Sequence, residues 1–502
     1  MPLLFLGYTM KKCVILSENT VSEKNFNNTY RNIGAMEVAQ LFRNYNIDTT
    51  IIEWILMWED EQLEEAIDLW FADSSEQLIG ISVPFSLGIV YDIIPLLSKL
   101  KEKYPKLQII IGGNRTHDPG LDGVADLVFM GRSIETLHAW LQDQDMMPYS
   151  TSHPQVILND DIKFNVDVPV LPPVVDHDLL TKHDVLGFEI GIGCKFNCSF
   201  CSYDLRNVKN PLFVDSESLR KFLQDNYDNY GVTSYYIADD TLNESDEKLE
   251  ILAEAVEALT FEVNLVSFLR IDLLERRKQQ YALLERIKLK GVTMGIETLT
   301  PAASKIIRKS PDTESTVRAL QKMAEITPMT FKSSGMIIGL TGDSHEEFWN
   351  NMDRLTGETL VHGIYPSPLR IRSPETAIFN EGYLSDFAKN PEKFGYTITG
   401  TYVEDYTSTE QEGSRLLQWE NDWTHSDETN EMCEVIVNDF QDRQLPLISA
   451  FEWITLLVFG IVNDPSDYKI AGSQSMYGVT ATKVDKHKKK YINRKLEYLR
   501  NM

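Results

Sequence analysis

Three of the chain's five cysteines lie in one short run, Gly193-Cys194-Lys195-Phe196-Asn197-Cys198-Ser199-Phe200-Cys201. The spacing is C-x3-C-x2-C. Three thiolates on one loop can hold three corners of an iron–sulfur cluster or three positions of a tetrahedral zinc. A structural zinc site normally closes with a fourth Cys or His. The two other cysteines, Cys13 and Cys433, sit in a strand-like and a helix-like stretch far from the loop, and neither belongs to a CxxC pair. A cluster with one open iron fits this set better, with zinc as the alternative.

The elements around the loop follow from periodicity. Up to about residue 150, short apolar runs ("KKCVILSE", "DTTIIEW", "LIGISV", "LQIIIGG", "ADLVFMG") alternate with amphipathic stretches ("GAMEVAQLFRNYN", "EDEQLEEAIDLWFA", "VYDIIPLLSKLKEKYP", "SIETLHAWLQ"). This predicts a Rossmann-like, doubly wound parallel sheet covered on both faces. Ligands of such sheets sit beyond the carboxyl ends of the strands. Here those ends carry Ser82, Gly112, Gly113 and Gly131. Residues 151–183, with Pro154, Pro169, Pro172 and Pro173 and no helical period, read as a linker.

A second series opens at "GFEIGIG", directly before the cysteines, and continues through "TSYYIADD", "EVNLVSFLR", "GVTMGIE", "FKSSGMIIGL" and the region near "HGIYPSPLRI". Six βα units predict a partial (β/α)6 barrel of the TIM type over 184–375. Polar residues at its strand ends are candidates for a ligand: Asp239 and Asp240, Arg270, and Glu297. The carboxylates suit a cation, with a helix N-cap as the plainer reading of either aspartate. The arginine suits a carboxylate, with a surface ion pair as the plainer reading. From 376 to 502 the chain reads as a mostly helical region after a polar, aromatic, irregular stretch containing Trp419, Trp423 and His425. The basic end "KHKKKYINRK" reads as a solvated helix face.

At 502 residues the chain is too long for one core. A formal charge of −27 argues against general nucleic-acid binding through phosphates. No apolar run is long enough to span a membrane. The start "MPLLFLGYTMKK" has its lysines after the apolar run, so it reads as a lead-in to the first strand and not as a signal peptide. Few cysteines in a long chain suggest a reducing cytoplasm.

With these residues in view, the loop resembles the CxxxCxΦC signature of radical S-adenosylmethionine (SAM) enzymes, Phe200 filling the aromatic place. The resemblance implies that Cys194, Cys198 and Cys201 ligate a 4Fe–4S cluster and that SAM chelates the fourth iron. It implies further that an electron, from a donor such as flavodoxin or ferredoxin, releases a 5′-deoxyadenosyl radical. Phe200, Asp239, Asp240, Arg270 and Glu297 would then lie at SAM. Lys309 resembles a basic residue frequent in the helix after Glu297. "GMIIGLTGDSHEE" is similar to the family's G-x-x-x-G-x-P-G-E-T, with Thr341 for Pro and Asp343-Ser344 for Glu-Thr, while Gly339 and Gly342 are kept.

The first domain resembles the cobalamin-binding domain of one radical SAM class, in "RNIGAMEVAQLFRNYNIDTTIIEW", "LIGISVPFS", "LQIIIGGN" and "ADLVFMGRSIETL". The resemblance implies cobalamin at Ser82, Gly112, Gly113 and Gly131. The DxHxxG motif is absent after the first strand, so no histidine of that loop is placed to ligate cobalt. In that class methylation of an unactivated carbon is the commonest reaction. Three readings stand: a cobalamin-dependent radical SAM methyltransferase acting on a small molecule or peptide, a radical SAM enzyme without cobalamin, and a non-catalytic metal- or cobalamin-binding sensor.

Overall fold

The computed structural model describes residues 11–19, 28–74, 76–82, 88–113, 124–130, 134–142, 155–158, 171–203, 207–208, 211–310, 312–358, 360–374, 384–404, 414–472 and 474–502. Its first sheet contains β1 (Lys11–Ser17), β2 (Asp48–Glu53), β3 (Glu76–Ser82), β4 (Gln108–Gly113), β5 (Leu127–Met130) and β6 (Gln155–Leu158). All neighbours are parallel and the order is β2-β1-β3-β4-β5-β6. Strand alternation sends Cys13 and Ile15 into one core and Val14 and Leu16 into another, so both faces are buried. The order reverses between β1 and β3, and that is where a doubly wound sheet opens its ligand crevice. Ser17 and Ser82 face each other across this point. Residues 155–158, expected within a linker, instead add an edge strand beside β5.

The second sheet holds β7 (Val185–Phe188), β8 (Ser234–Ile237), β9 (Asn264–Leu269), β10 (Gly291–Glu297), β11 (Phe331–Ile338) and β12 (Gly363–Pro368). They are parallel and run in sequence order, six strands of a partial barrel. Helices follow the strands, among them Ser216–Tyr230, Asp246–Glu257, Gln280–Ile287, Thr313–Ile326 and His345–Gly357. Their apolar stripes bury the outward residues Leu186, Tyr235, Leu265, Met294 and Met336. The lower concave face is filled by the helix Ala450–Val458. Its Ala450 N–H donates to Thr293 Oγ1 at 3.0 Å, and a side chain on Gly291 would meet Ala450 Cβ at 3.0 Å.

The C-terminal region departs from expectation twice. The stretch read as irregular contains an antiparallel pair, β13 (Thr397–Glu404) and β14 (Ser414–Glu420). The basic end has the expected solvated face, with Lys486, Lys489, Lys490 and Arg494 exposed, but its other face is buried. In the helix Gln474–Arg500, Tyr491, Ile492, Leu496 and Leu499 pack into the core of the first sheet, with Lys488 and Lys495 buried among them. Their three- and four-residue spacing was the available signal. Lys495 Nζ donates to Thr50 Oγ1 (2.7 Å) and the His177 carbonyl (2.6 Å), and burial lowers its pKa to about 7. Among the described residues no helix is long and apolar enough to cross a membrane.

A short segment joins the two sheets. Tyr30 bridges to Val185 in parallel, with Arg31 N–H donating to the Val185 carbonyl (3.0 Å) and Val185 N–H to that of Thr29 (3.1 Å). Arg31 Nε donates to Asp184 (2.9 Å), and its guanidinium lies 4.6 Å from the ring centres of both Trp54 and Tyr491. His487 also meets Asp184, at 3.1 Å. Burial alone would raise the Asp184 pKa. Arg31 and His487 outweigh it and hold the carboxylate well below its usual range. A depressed folded-state pKa contributes stability above the unfolded value, near 4, that is lost as pH falls through the folded value. Asp184→Ala leaves Arg31 buried without its partner and should cost about 3–5 kcal/mol in urea unfolding. Asp184→Asn should flatten the acid limb of stability against pH.

Candidate functional site

The cysteine loop springs from the carboxyl end of β7 and is fastened from four sides. Asp239, at the end of β8, accepts the N–H groups of Ile190 (2.7 Å) and Gly191 (3.0 Å). Its carboxylate also pairs with Lys248 Nζ at 2.5 Å, and Lys248 pairs with Glu244 at 2.7 Å. Both Lys248 and Asp239 side chains are fully buried. Glu244 accepts the Lys195 N–H (3.3 Å). Gly191 must lack a side chain, because a Cβ there would lie 2.6 Å from the Phe213 ring. Gly193 turns the chain at φ +86°. On the far side Ser199 Oγ donates to the Ile306 carbonyl (2.8 Å), and Arg308 Nη1 donates to that of Asn197 (2.8 Å).

Each cysteine sulfur has its own polar neighbour. Cys194 Sγ lies 3.8 Å from Thr241 Oγ1. Cys198 Sγ accepts from Arg270 Nη1 at 3.6 Å, and Cys201 Sγ from the Tyr203 N–H at 3.4 Å. Burial raises the Cys194 thiol, so its thiolate calls for a cation at the sulfur. Donors aimed at sulfur are what a thiolate-ligated cluster uses to tune its potential. The three sulfurs thus share one loop and each has a polar neighbour, while among the described residues no three His, Cys, Asp or Glu side chains are gathered closely enough to hold a single metal ion. Cys13 lies buried in β1 and Cys433 in the helix Ser426–Asp442, and neither belongs to this loop.

The remaining strand-end residues divide by role. Asp239 is not presented to a ligand: its oxygens are occupied by two backbone N–H groups and Lys248, which corrects the expectation that it meets SAM. Neither aspartate is a helix N-cap, since Ser245 caps the helix Asp246–Glu257. Asp240 is open to solvent but recessed. Its crowded surroundings, opposed by a hydrogen bond from Tyr203 and reinforced by Asp239 and Glu189, push its pKa up to about 7. Arg270 has its carboxylate already, a bidentate pair with Asp272 at 3.0 and 2.9 Å, so the carboxylate expected from a ligand is supplied by the chain. Its guanidinium lies 4.0 Å from the Phe196 ring centre.

Glu297 ends β10 in the left-handed region, φ +67°, where the register with β11 shifts. That conformation is uncommon for a non-glycine residue and turns the carboxylate to Lys309 Nζ, 3.0 Å away. Lys309 stands 5.9 Å from the centre of the Phe200 ring, bringing this pair beside the cysteine loop.

The loop after β11 keeps its turn with altered side chains. Gly339 and Gly342 have φ of +102° and +82°. Asp343 accepts from Thr298 (3.0 Å) and Thr300 (2.6 Å), so it holds the loop from within. Trp423 Nε1 donates to the Leu340 carbonyl (2.8 Å), and Trp419 packs where a Gly339 side chain would stand. His425 caps the helix Ser426–Asp442. Neither tryptophan was legible as a loop clamp, since Gly339 and Leu340 lie some eighty residues upstream.

In the first sheet, Ser82 accepts from the Asn32 amide at 3.0 Å, beside the switch point. Gly112 lies opposite Ser82, and Gly113 opposite Met130. Gly131 lies outside the described residues. At the same strand ends Glu53 Oε2, Arg31 Nη2 and Trp54 Nε1 are buried without hydrogen-bond partners among the described residues. A rim of small residues beside unpaired polar atoms fits a polar ligand that approaches the backbone closely.

Residues 188–355, the cysteine loop among them, match the radical SAM superfamily model. No curated protein sequence matches the chain. Its fold is similar to that of TsrM from Kitasatospora setae, a radical SAM methyltransferase solved with cobalamin and a 4Fe–4S cluster bound. The likeness covers 97% of this chain and 100% of that one at 11% identity, with a TM-score of 0.61. It is similar too to the cobalamin-dependent radical enzyme OxsB, solved with aqua-cobalamin and SAM, over 98% of this chain and 84% of that one (10% identity, TM-score 0.56). At these identities the likeness establishes the shared two-sheet architecture.

Asp239 acts on the cysteines only through the loop backbone, so its loss should show in cluster assembly. After anaerobic reconstitution, Asp239→Ala should hold several-fold less iron and sulfide than the parent chain, and Asp240→Ala should hold the parental amount. Equal loading of all three would sink the positioning role.

Proposed function

We propose that this chain is a radical SAM enzyme that reductively cleaves SAM, that it employs cobalamin, and that it methylates an unactivated carbon of a small molecule or peptide. The observation carrying the reading is the cysteine loop: three sulfurs at the carboxyl end of a six-strand partial barrel, each with its own hydrogen-bonding neighbour. Cys194, Cys198 and Cys201 hold the 4Fe–4S cluster. Bound there with SAM, it supplies a 5′-deoxyadenosyl radical, and cobalamin supplies a methyl group.

The chain's own residues orient and shield. Arg270, locked by Asp272, sets one donor at Cys198 and covers Phe196. Asp240 offers a carboxyl group, half-ionised near neutrality, to the SAM ammonium. The Glu297–Lys309 pair gives an acceptor and a donor on the opposite wall. Ser82, Gly112 and Gly113 form the described rim for cobalamin, and the loop after β1 carries no histidine to ligate cobalt. The electron comes from a small donor protein such as flavodoxin or ferredoxin.

Anaerobically purified, reconstituted chain should be brown and, after dithionite reduction, convert SAM to 5′-deoxyadenosine and methionine. Cys198→Ala should reduce this to background. A colourless zinc-loaded protein without SAM cleavage would overturn the enzyme reading. Hydroxocobalamin passing freely through a desalting column would overturn the cobalamin half alone.

A further inference from the structure

Two large rings stand exposed on otherwise buried strands: Phe268 of β9 at 41% and Tyr365 of β12 at 52%. Register puts both on the concave face of the partial barrel. Phe268 lies opposite Thr293, whose hydroxyl holds the helix Ala450–Val458 from within the barrel. It is also two residues before Arg270, so alternation places it beneath the side chain that reaches Cys198. Tyr365 lies opposite Gly335, and a Cβ on Gly335 would stand 3.5 Å from Glu297 Oε2. The two rings therefore flank the space below the cysteine loop, one from each side.

Between them the wall is low. Gly335 and Gly295 are in register on β11 and β10. The room a Gly295 side chain would take is used by Lys309 Nζ and Glu297 Oε1, so the upper edge is an ion pair. At Gly335 the floor stays bare. Phe451, in the first turn of the barrel-filling helix, closes the bottom. Its ring centre is 4.5 Å from that of Phe268, tilted by 38°, and 6.3 Å from that of Tyr236. Tyr236 in turn lies 5.0 Å from Tyr30 of the segment joining the sheets.

Two exposed rings with a glycine floor between them make a slot on the concave face, and a flat group can stack against such rings. Leaving two such rings in water forfeits burial that any occupant restores, and apolar surface concentrated in a concave site marks a ligand contact. We propose that this slot takes the reacting part of the substrate, and that this part is a planar aromatic or heteroaromatic ring, its polar edge meeting Glu297 and Lys309. The inference rests on the radical reading above, because only then does the space below the cysteines hold a substrate.

The test uses the reconstituted full chain and indole as probe, with cyclohexanol as the non-planar control, read by saturation-transfer NMR. Indole should give a signal and cyclohexanol little. Phe268→Ala and Tyr365→Ala should each weaken indole binding by about three- to ten-fold, the worth of one aromatic contact. SAM affinity and substrate-free SAM cleavage should stay at the parental level. Phe268→Leu and Tyr365→Phe guard against misfolding, and Tyr365→Phe should retain the probe. Indole binding that survives both alanine changes overturns the slot. So does displacement of indole by SAM, or loss of SAM affinity in the variants, since the rings would then serve the cofactor. If the parental chain does not cleave SAM, the proposed function fails, while the probe still decides whether the slot accepts a planar ring.

Discussion

The buried carboxylate of Asp239 is the contact on which the cysteine loop depends. Two backbone N–H groups and one ammonium converge on it at the end of β8. Lys248 is shared with Glu244, which in turn accepts the Lys195 N–H. The backbone on both sides of Cys194 is thus bound to carboxylates that share one lysine. Ions taken out of water cost several kcal/mol each unless paired and hydrogen-bonded, so the cluster of charges and the loop conformation form together or not at all. That cooperativity gives a loop with no regular structure a single shape. It also explains the glycines. Gly191 lets Phe213 close over the charges, and Gly193 reverses the chain before the first sulfur.

An open six-strand barrel leaves its concave face and last edge uncovered, and the C-terminal region answers both needs. The helix Ala450–Val458 fills the lower interior through small contacts, Ala450 against Gly291 and Thr293. The β13–β14 pair and Trp423 hold the loop after β11, Trp419 entering the space that Gly339 leaves. That loop departs from the pattern it resembles at Thr341, Asp343 and Ser344. Its shape is kept because Asp343 still gathers two hydroxyls and Ser344 still caps a helix. The family pattern and this variant solve one problem, a tight turn at a strand end, with different side chains.

Both sheets, β6 apart, were legible in the sequence because their strands are short, apolar and bounded by turn residues, a signal local to a few positions. The cysteine loop was legible for the same reason. What was not legible depends on distant partners. Asp239 and Asp240 are adjacent and chemically identical, yet one is sealed by Lys248 and the other stays open, and nothing local separates them. Arg270 reads as seeking a carboxylate, and Asp272 two residues later already supplies it. The hairpin was missed because polar residues separate its strands and only two of its seven register pairs, Ile398 with Trp419 and Tyr402 with Leu416, are apolar on both strands. The terminal helix was misread because its lysines dominate its composition, whereas the spacing of Tyr491, Leu496 and Leu499 decides its fate.

The segment around Tyr30 carries the relation between the two sheets. Tyr30 packs on Tyr236 inside the barrel, while Asn32 caps the first helix of the other sheet and donates to Ser82 at the switch point. The crevice of the first sheet and the concave face of the second are therefore a few residues apart on one extended strand. Arg31, held by Asp184 and stacked between Trp54 and Tyr491, fixes that strand against both sheets and against the terminal helix. Chemistry that passes a reactive fragment between two sites requires such nearness, because orientation fixed beforehand removes entropy from the barrier. The buried ion pair at this joint thus fixes the segment that touches both sheets.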